Sequence, residues 1–154
     1  MSDAQMRAAF DGVPVPVFET TAFTLPPPLR EATVALVTTA GLRRPDQPDW
    51  AYRAGDQSFR VLEVPRGSDP ELMLSHSSHN FDRSGFVADL NVVFPLDRLR
   101  ELAAAGAIKA VAPRHVSFIG NLDETLATIR LDTGPAAARV LREAGANVVL
   151  LTPV

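Results

Sequence analysis

Apolar residues along the chain gather in short runs separated by stretches of helical period. Val34-Ala35-Leu36-Val37-Thr38-Thr39 is an unbroken, partly β-branched run that stops before Gly41. It predicts a strand buried on both faces of a parallel sheet. Phe59, Val61 and Val64 alternate well enough to predict a second strand over residues 59–64, and Leu72-Met73-Leu74 a third, ending at Ser75-His76. Leu96, Leu99, Leu102 and Ala103 share one face of a helix that starts at Pro95 and is ended by Gly106. Residues 116–119 predict a strand stopped by Gly120. Residues 121–130 predict a short helix, with Asn121 and Glu124 at capping-box spacing. Ala137, Val140, Leu141 and Ala144 lie on one face of a helix over residues 135–144, closed by Gly145, and Val148-Val149-Leu150-Leu151 predicts a further buried strand.

Alternation of apolar strands with helices predicts an α/β fold. The expected sheet is mostly parallel with flanking helices, in a flavodoxin-like or Rossmann-like three-layer arrangement. Residues 1–30 form a proline-rich N-terminal arm, with Pro14, Pro16, Pro26, Pro27 and Pro28, expected to be extended and packed along a surface. Residues 31–154 are read as one α/β domain. Residues 43–57 are polar, broken by Pro45 and Pro48, and read as loop. Ligands of open α/β sheets bind beyond the carboxyl ends of the strands. Those ends are Thr38, Thr39 and Gly41, then His76, Gly120, and Thr152 to Val154. Neither G-x-G-x-x-G nor G-x-x-x-x-G-K-[ST] occurs, so nucleotide binding has no positive support.

Composition narrows the functional classes. With 154 residues, 46% hydrophobic and 21% charged, the chain can bury a core. A formal charge of -3 and the lack of a basic run argue against nucleic-acid or anionic-membrane partners. No apolar stretch approaches the roughly 20 residues of a membrane span, and residues 1–10 lack a signal-peptide core, so a cytoplasmic location is expected. The absence of cysteine excludes disulfides, thiolate metal sites and thiol nucleophiles within these 154 residues.

Three histidines are candidates for chemistry. His76 and His79 are three apart, and His115 follows Arg114. With Asp82 or Asp89 they compose a His-based metal site on paper, although H-x-x-H in a loop forces no geometry. The other reading is acid–base work, or orientation of a substrate carboxylate by His115 and Arg114. A triad of Ser75, Ser77 or Ser78 with His115 and Asp82 has no nucleophile elbow to support it. Trp50 and Tyr52, each the only one of its type, are expected to pack over the sheet edge.

Four stretches carry a family resemblance. They are residues 34–41; Asn91-Val92-Val93-Phe94-Pro95-Leu96-Asp97-Arg98-Leu99-Arg100-Glu101-Leu102; Ala112-Pro113-Arg114-His115-Val116-Ser117-Phe118-Ile119-Gly120; and residues 148–154. In this order they resemble the selenoprotein B family of the glycine, betaine, sarcosine and D-proline reductases, from about residue 34 onward. The resemblance implies reductive cleavage of a carbon–nitrogen bond with a dithiol donor, in which a selenolate attacks substrate held on a pyruvoyl-bearing partner subunit. It places the selenocysteine immediately after Val154. Read this way, the domain is incomplete relative to the family and inactive alone, and it is either terminated at a UGA codon read elsewhere as selenocysteine or a short paralogue that works with a separate thiol-bearing chain. It needs the partner subunit or a separate thiol-bearing chain, and homo-oligomerisation is expected. The resemblance sets Arg114 and His115 near the substrate or the selenolate, where a cationic group would favour the ionised selenolate. The strand-end residues Thr38, Thr39, Gly41, His76 and Thr152, with Asp82 beside His76, are the expected substrate-binding residues. The competing functions are a non-catalytic binding or assembly module and a metal-dependent enzyme using His76, His79 and His115.

Overall fold

The computed structural model describes residues 2–11, 17–21, 23–51, 55–65, 67–76, 83–120 and 126–154. The fold is mixed α/β, with a curled, mostly parallel five-stranded sheet and, among the described residues, four α-helices. Strand β1 (Thr33–Thr38) is its centre. On one side β1 pairs in parallel with β5 (Ala110–Val111) and then β6 (Arg114–Ser117); on the other it pairs in parallel with β7 (Val148–Thr152). Strand β3 (Arg60–Glu63) runs antiparallel on the outer side of β6. Strands β2 (Leu42–Arg43) and β4 (Met73–Leu74) form a separate antiparallel pair.

The continuous apolar run of β1 is explained by its two covered faces. Val34 and Leu36 point into a core with Leu62, Phe94, Leu96 and Leu99, under helix α3 (Leu96–Ala104). Ala35 points the other way, with Val116, Ala137 and Leu141 of helix α4 (Gly134–Glu143), and Val37 packs against this second cluster. Helices therefore cover both faces of the centre of the sheet, and each buried leucine contributes roughly 1.5–3 kcal/mol. No helix among the described residues is long and apolar enough to cross a membrane.

The join between β5 and β6 is irregular. Val34 lies opposite Val111 but Val37 lies opposite Val116, so the outer strand takes five residue steps where β1 takes three. The surplus falls at Ala112-Pro113-Arg114, and Pro113 has no N–H to add to the ladder. Leu36 N–H, which would otherwise meet a carbonyl, donates to His115 Nδ1 at 2.9 Å. The imidazole thus bridges the gap that the extra residues leave in the sheet.

Several elements differ from the sequence expectations. Residues 59–64 do form a strand, but it is antiparallel. Residues 72–74 lie outside the main sheet, in the β2–β4 pair, and β2 starts the stretch read as loop. The strand expected over 116–119 begins two residues earlier, because its pairing with β3 starts at Arg114. The largest correction concerns β7. Among the described residues it pairs only with β1, and Val149, Leu150 and Leu151 are 43%, 41% and 67% exposed, so within the described sheet it is an edge strand rather than a buried one.

The arm also contains structure that proline content hid. Helix α1 (Asp3–Phe10) is opened by a capping box between Ser2 and Gln5. The described residues from 17 to 28 lack regular structure, and the Arg130 guanidinium stacks 4.7 Å from the Phe18 ring. Helix α2 (Arg83–Ala88) precedes the turn that leads into α3. A π-turn (Ile129–Thr133) runs directly into α4, whereas Asn121 and Glu124 lie outside the described residues. Trp50 is buried with the Arg60 guanidinium 4.2 Å over its ring, packing the 44–50 connection beside β3 as expected; Tyr52 lies outside the described residues.

Candidate functional site at the carboxyl ends of the parallel strands

The carboxyl ends of β1, β6 and β7 meet in a network of backbone and hydroxyl groups. Beyond β1 the chain turns at Gly41, which has φ +67, a left-handed conformation that glycine adopts without strain. Its N–H donates to the Phe118 carbonyl at 2.8 Å, and its own carbonyl accepts from Ser75 N–H at 3.0 Å. This one turn ties the end of β1 to the end of β6 and to the segment holding His76. Thr38 is fully buried, and its hydroxyl accepts from Ala40 N–H. The buried Ser117 hydroxyl accepts from Leu42 N–H at 2.8 Å. Gly120, with φ +74, sits against Thr39: a Cβ there would lie 3.4 Å from the Thr39 carbonyl.

The other half of the network grips the end of β7. Thr39 N–H donates to the Thr152 carbonyl at 3.3 Å. Thr39 Oγ1 accepts from Val154 N–H at 2.9 Å and reaches the Val154 carbonyl at 3.4 Å. The Thr152 hydroxyl shares its proton between the carbonyls of Val93, 3.1 Å away, and Val37, 3.3 Å away. It therefore ties β7 to both β1 and the turn before α3. Thr152→Val should cost about 1–2 kcal/mol by removing these bonds, whereas Thr152→Ser should cost less than half of that. Urea unfolding checks this, and equal losses in the two variants would contradict the hydrogen-bonding role.

The structure thus brings Thr38, Thr39, Gly41 and Thr152 together, with His76 following the Ser75 contact. Burial and then the Arg83 charge lower the pKa of His76, favouring its neutral form, and Arg83 donates to the His76 carbonyl at 2.7 Å. His79 and Asp82 lie outside the described residues. Sequence reading passed over Ser117, which is hidden within an apolar run, and Arg43, whose Nε donates to Ser75 Oγ at 3.2 Å.

Arg114 and His115 lie elsewhere. Arg114 opens β6, away from the strand's carboxyl end, and its Nε is 3.6 Å from Glu63. His115 is fully buried in mid-sheet, edge-on to Phe94 at 5.2 Å between ring centres. Burial first, and the Arg100 charge second, push its pKa down to about 4, so it supplies no positive charge at neutral pH. Because Nδ1 accepts a hydrogen bond, the single proton sits on Nε2, which has no hydrogen-bond partner among the described residues. Among the described residues, no group of three His, Cys, Asp or Glu side chains is placed to hold a metal ion. A cavity of about 760 Å³ lies between α3, β5 and the chain following β3, and none of the network residues above line it.

Residues 10–154 match the family model described as glycine/sarcosine/betaine reductase selenoprotein B. D-proline reductase subunit gamma of Acetoanaerobium sticklandii is 40% identical over 125 residues, covering 80% of this chain and 49% of that protein. Sarcosine reductase complex component B subunit beta of Peptoclostridium acidaminophilum is 28% identical over 145 residues, covering 90% of this chain and 32% of its own length. Glycine reductase complex component B subunit gamma of Carboxydothermus hydrogenoformans is 27% identical over 125 residues. The chain spans about half the length of the first of these relatives and about a third of the second. No solved structure matches. With most of its length matched by one family model, the chain belongs to the glycine/sarcosine/betaine reductase selenoprotein B family.

Proposed function

We propose that the chain supplies the N-terminal α/β part of a reductase subunit that cleaves a carbon–nitrogen bond reductively, with the nucleophile carried just beyond Val154. With β5 and β6 counted as one strand, the parallel strands lie in the spatial order 2-1-3, and α3 and α4 sit on opposite faces. This is how a flavodoxin-like doubly wound sheet begins, and its ligand site lies where strands 1 and 3 diverge. The observation that carries the reading is the grip of Thr39 on Val154 at that point. Whatever follows Val154 starts beside Thr39, Gly120 and the Gly41 turn. In this reading Thr38, Thr39, Gly41 and Thr152 shape the substrate side, with His76 and Asp82 on the neighbouring segment. Arg114 and His115 act through the sheet rather than on the substrate.

The relatives' names indicate the substrate class: D-proline in one, sarcosine, glycine or betaine in others. The chain has no cysteine, so the reduction needs a selenol or thiol from beyond these residues, with two electrons from a dithiol donor. The test is the nucleotide sequence after codon 154, together with turnover of these four substrates. The expected result is a UGA codon followed by an open frame, and no turnover by the 154-residue chain with dithiothreitol. A UAA or UAG codon, or reduction of any of the four by the purified chain alone, would overturn the proposal.

A further inference from the structure

The geometry points to the cavity of about 760 Å³ beside α3 as a second binding site, one that takes a small amphipathic carboxylate with its head on Arg100 and Lys109. The inference does not depend on the reaction proposed above. It rests on where the cavity lies, what its floor is made of, and which cations stand at its rim.

The cavity is enclosed by elements that this chain itself supplies. Small side chains at the end of α3, Ala103 and Ala104, leave the space, with Leu96 above, Val111 and Pro113 below, and Val64 on the far wall. Its volume falls within the range of small-molecule sites, roughly 300–1,000 Å³. Val64 N–H donates to the Pro113 carbonyl, which places the cavity at the amino end of β6, on the β3 flank of the sheet. Val154 stands at the carboxyl ends of the strands, beyond β7, on the other flank. A chain continuing from Val154 therefore starts at the opposite corner of the domain.

The floor selects an apolar ligand body. Ala110 and Ala112 spend their N–H groups on the carbonyls of Ala32 and Val34, at 3.3 and 2.9 Å. Pro113 has no N–H, and its carbonyl is taken by Val64 at 2.8 Å. These residues meet a ligand through carbon.

The rim selects a negative head. Arg100 is fixed in place: Nη1 donates to Asp69 at 2.7 Å and to Asp97 at 3.2 Å, and Nη2 donates to the Ser68 carbonyl. A guanidinium has five N–H groups, so the one on Nε and one on Nη2 remain without an acceptor among the described residues. Carboxylates match such donors well, and a guanidinium already held by its neighbours loses little freedom on binding one. Lys109 also lines the cavity and forms no ion pair among the described residues. The acidic residue in the described lining is Asp69, which is exposed to solvent and already bonded to Arg100. Two cations against one carboxylate leave the rim positive.

Sodium octanoate is the probe. Titrated into the isotopically labelled chain, it should saturate with a Kd on the order of 0.1–1 mM. The largest amide shifts should fall at Ala104, Ala110 and Val111. Each CH₂ removed, through hexanoate to butanoate, should weaken binding about three- to fourfold. Uncharged 1-hexanol should bind at least about fivefold more weakly than hexanoate. Lys109→Gln should weaken octanoate about fivefold, and Ala104→Leu, which fills the cavity, at least about tenfold, both with unchanged circular dichroism. Absence of saturation below about 10 mM, affinity independent of tail length, shifts centred elsewhere, or full affinity in both variants would each overturn the inference. Displacement by inorganic phosphate at equal concentration would mark an adventitious anion site only and also overturn it. If Ala104→Leu fails to fold, Lys109→Gln and the map of shifts decide.

Discussion

Replacing His115 by alanine should destabilise the fold by about 3–5 kcal/mol at neutral pH, a large share of the stability of a domain this size. Two losses combine. Leu36 N–H is left in the sheet interior without an acceptor, and a cavity opens against Phe94. The same residue makes the wild type acid-sensitive. Its pKa falls from 6.5 in the unfolded chain to about 4 in the fold, so below pH 6.5 the unfolded chain takes up a proton that the fold refuses. This contribution is complete above pH 6.5, declines as pH falls towards 4, and totals about 3 kcal/mol. Asp46, Asp49 and Asp89, whose pKa values are lowered, lose their contributions only as pH falls below the usual carboxylate range, in a separate window. His115→Asn keeps an acceptor near the Nδ1 position and does not titrate. It should recover about half of the alanine loss and flatten the profile between pH 6.5 and 4. Urea unfolding at several pH values measures both effects. An alanine loss below about 1 kcal/mol, or a His115→Asn profile as steep as wild type, would show that the imidazole does not hold the sheet together.

Gly41→Ala is expected to cost about 2 kcal/mol and to lower the melting temperature by roughly 4–8 °C. One part is conformational, because φ is +67. The other is steric: a Cβ would lie 3.3 Å from Ile119 Cγ1 and 3.4 Å from His76 N, within the turn that joins three strand ends. Gly145→Ala separates the two parts. Its φ is +81, but nothing lies within 4 Å of the added Cβ, so it should show the conformational cost alone. Equal losses at the two positions would mean that the Gly41 turn has room to spare. In a complete reductase subunit, Gly41→Ala should also reduce turnover by displacing the segment that carries His76.

The parts of this architecture that depend on local pattern were readable from sequence. The run at residues 34–39, the leucine face of α3 and the alanine–leucine face of α4 each commit to one period and one cover. The strand ends named from that pattern, Thr38, Thr39, Gly41 and Thr152, do converge. What escaped depends on pairing across the chain. Residues 59–64 look the same whether the strand is parallel or antiparallel. The two surplus residues between β5 and β6 become visible only when Val111 and Val116 are set against β1. His115 was read as a chemical group because a histidine beside an arginine suggests a site. Its use as a substitute backbone acceptor leaves no mark in composition or spacing. For β7, apolar character on both faces suggested burial, but the number of neighbouring strands is not encoded within the strand itself.

The single tryptophan gives this fold an optical property. Trp50 is buried beside the antiparallel edge, under the Arg60 guanidinium, on the far side of the sheet from β7. Tryptophan emission from this protein therefore reports one location, the junction of β3 with the preceding connection. Far-ultraviolet dichroism instead averages over every helix and strand. If β3 detaches before the parallel core melts, the emission midpoint in urea falls below the dichroism midpoint, and the separation measures how independently the antiparallel flank unfolds. Coincident midpoints would mean that the flank and the parallel core unfold as one cooperative unit.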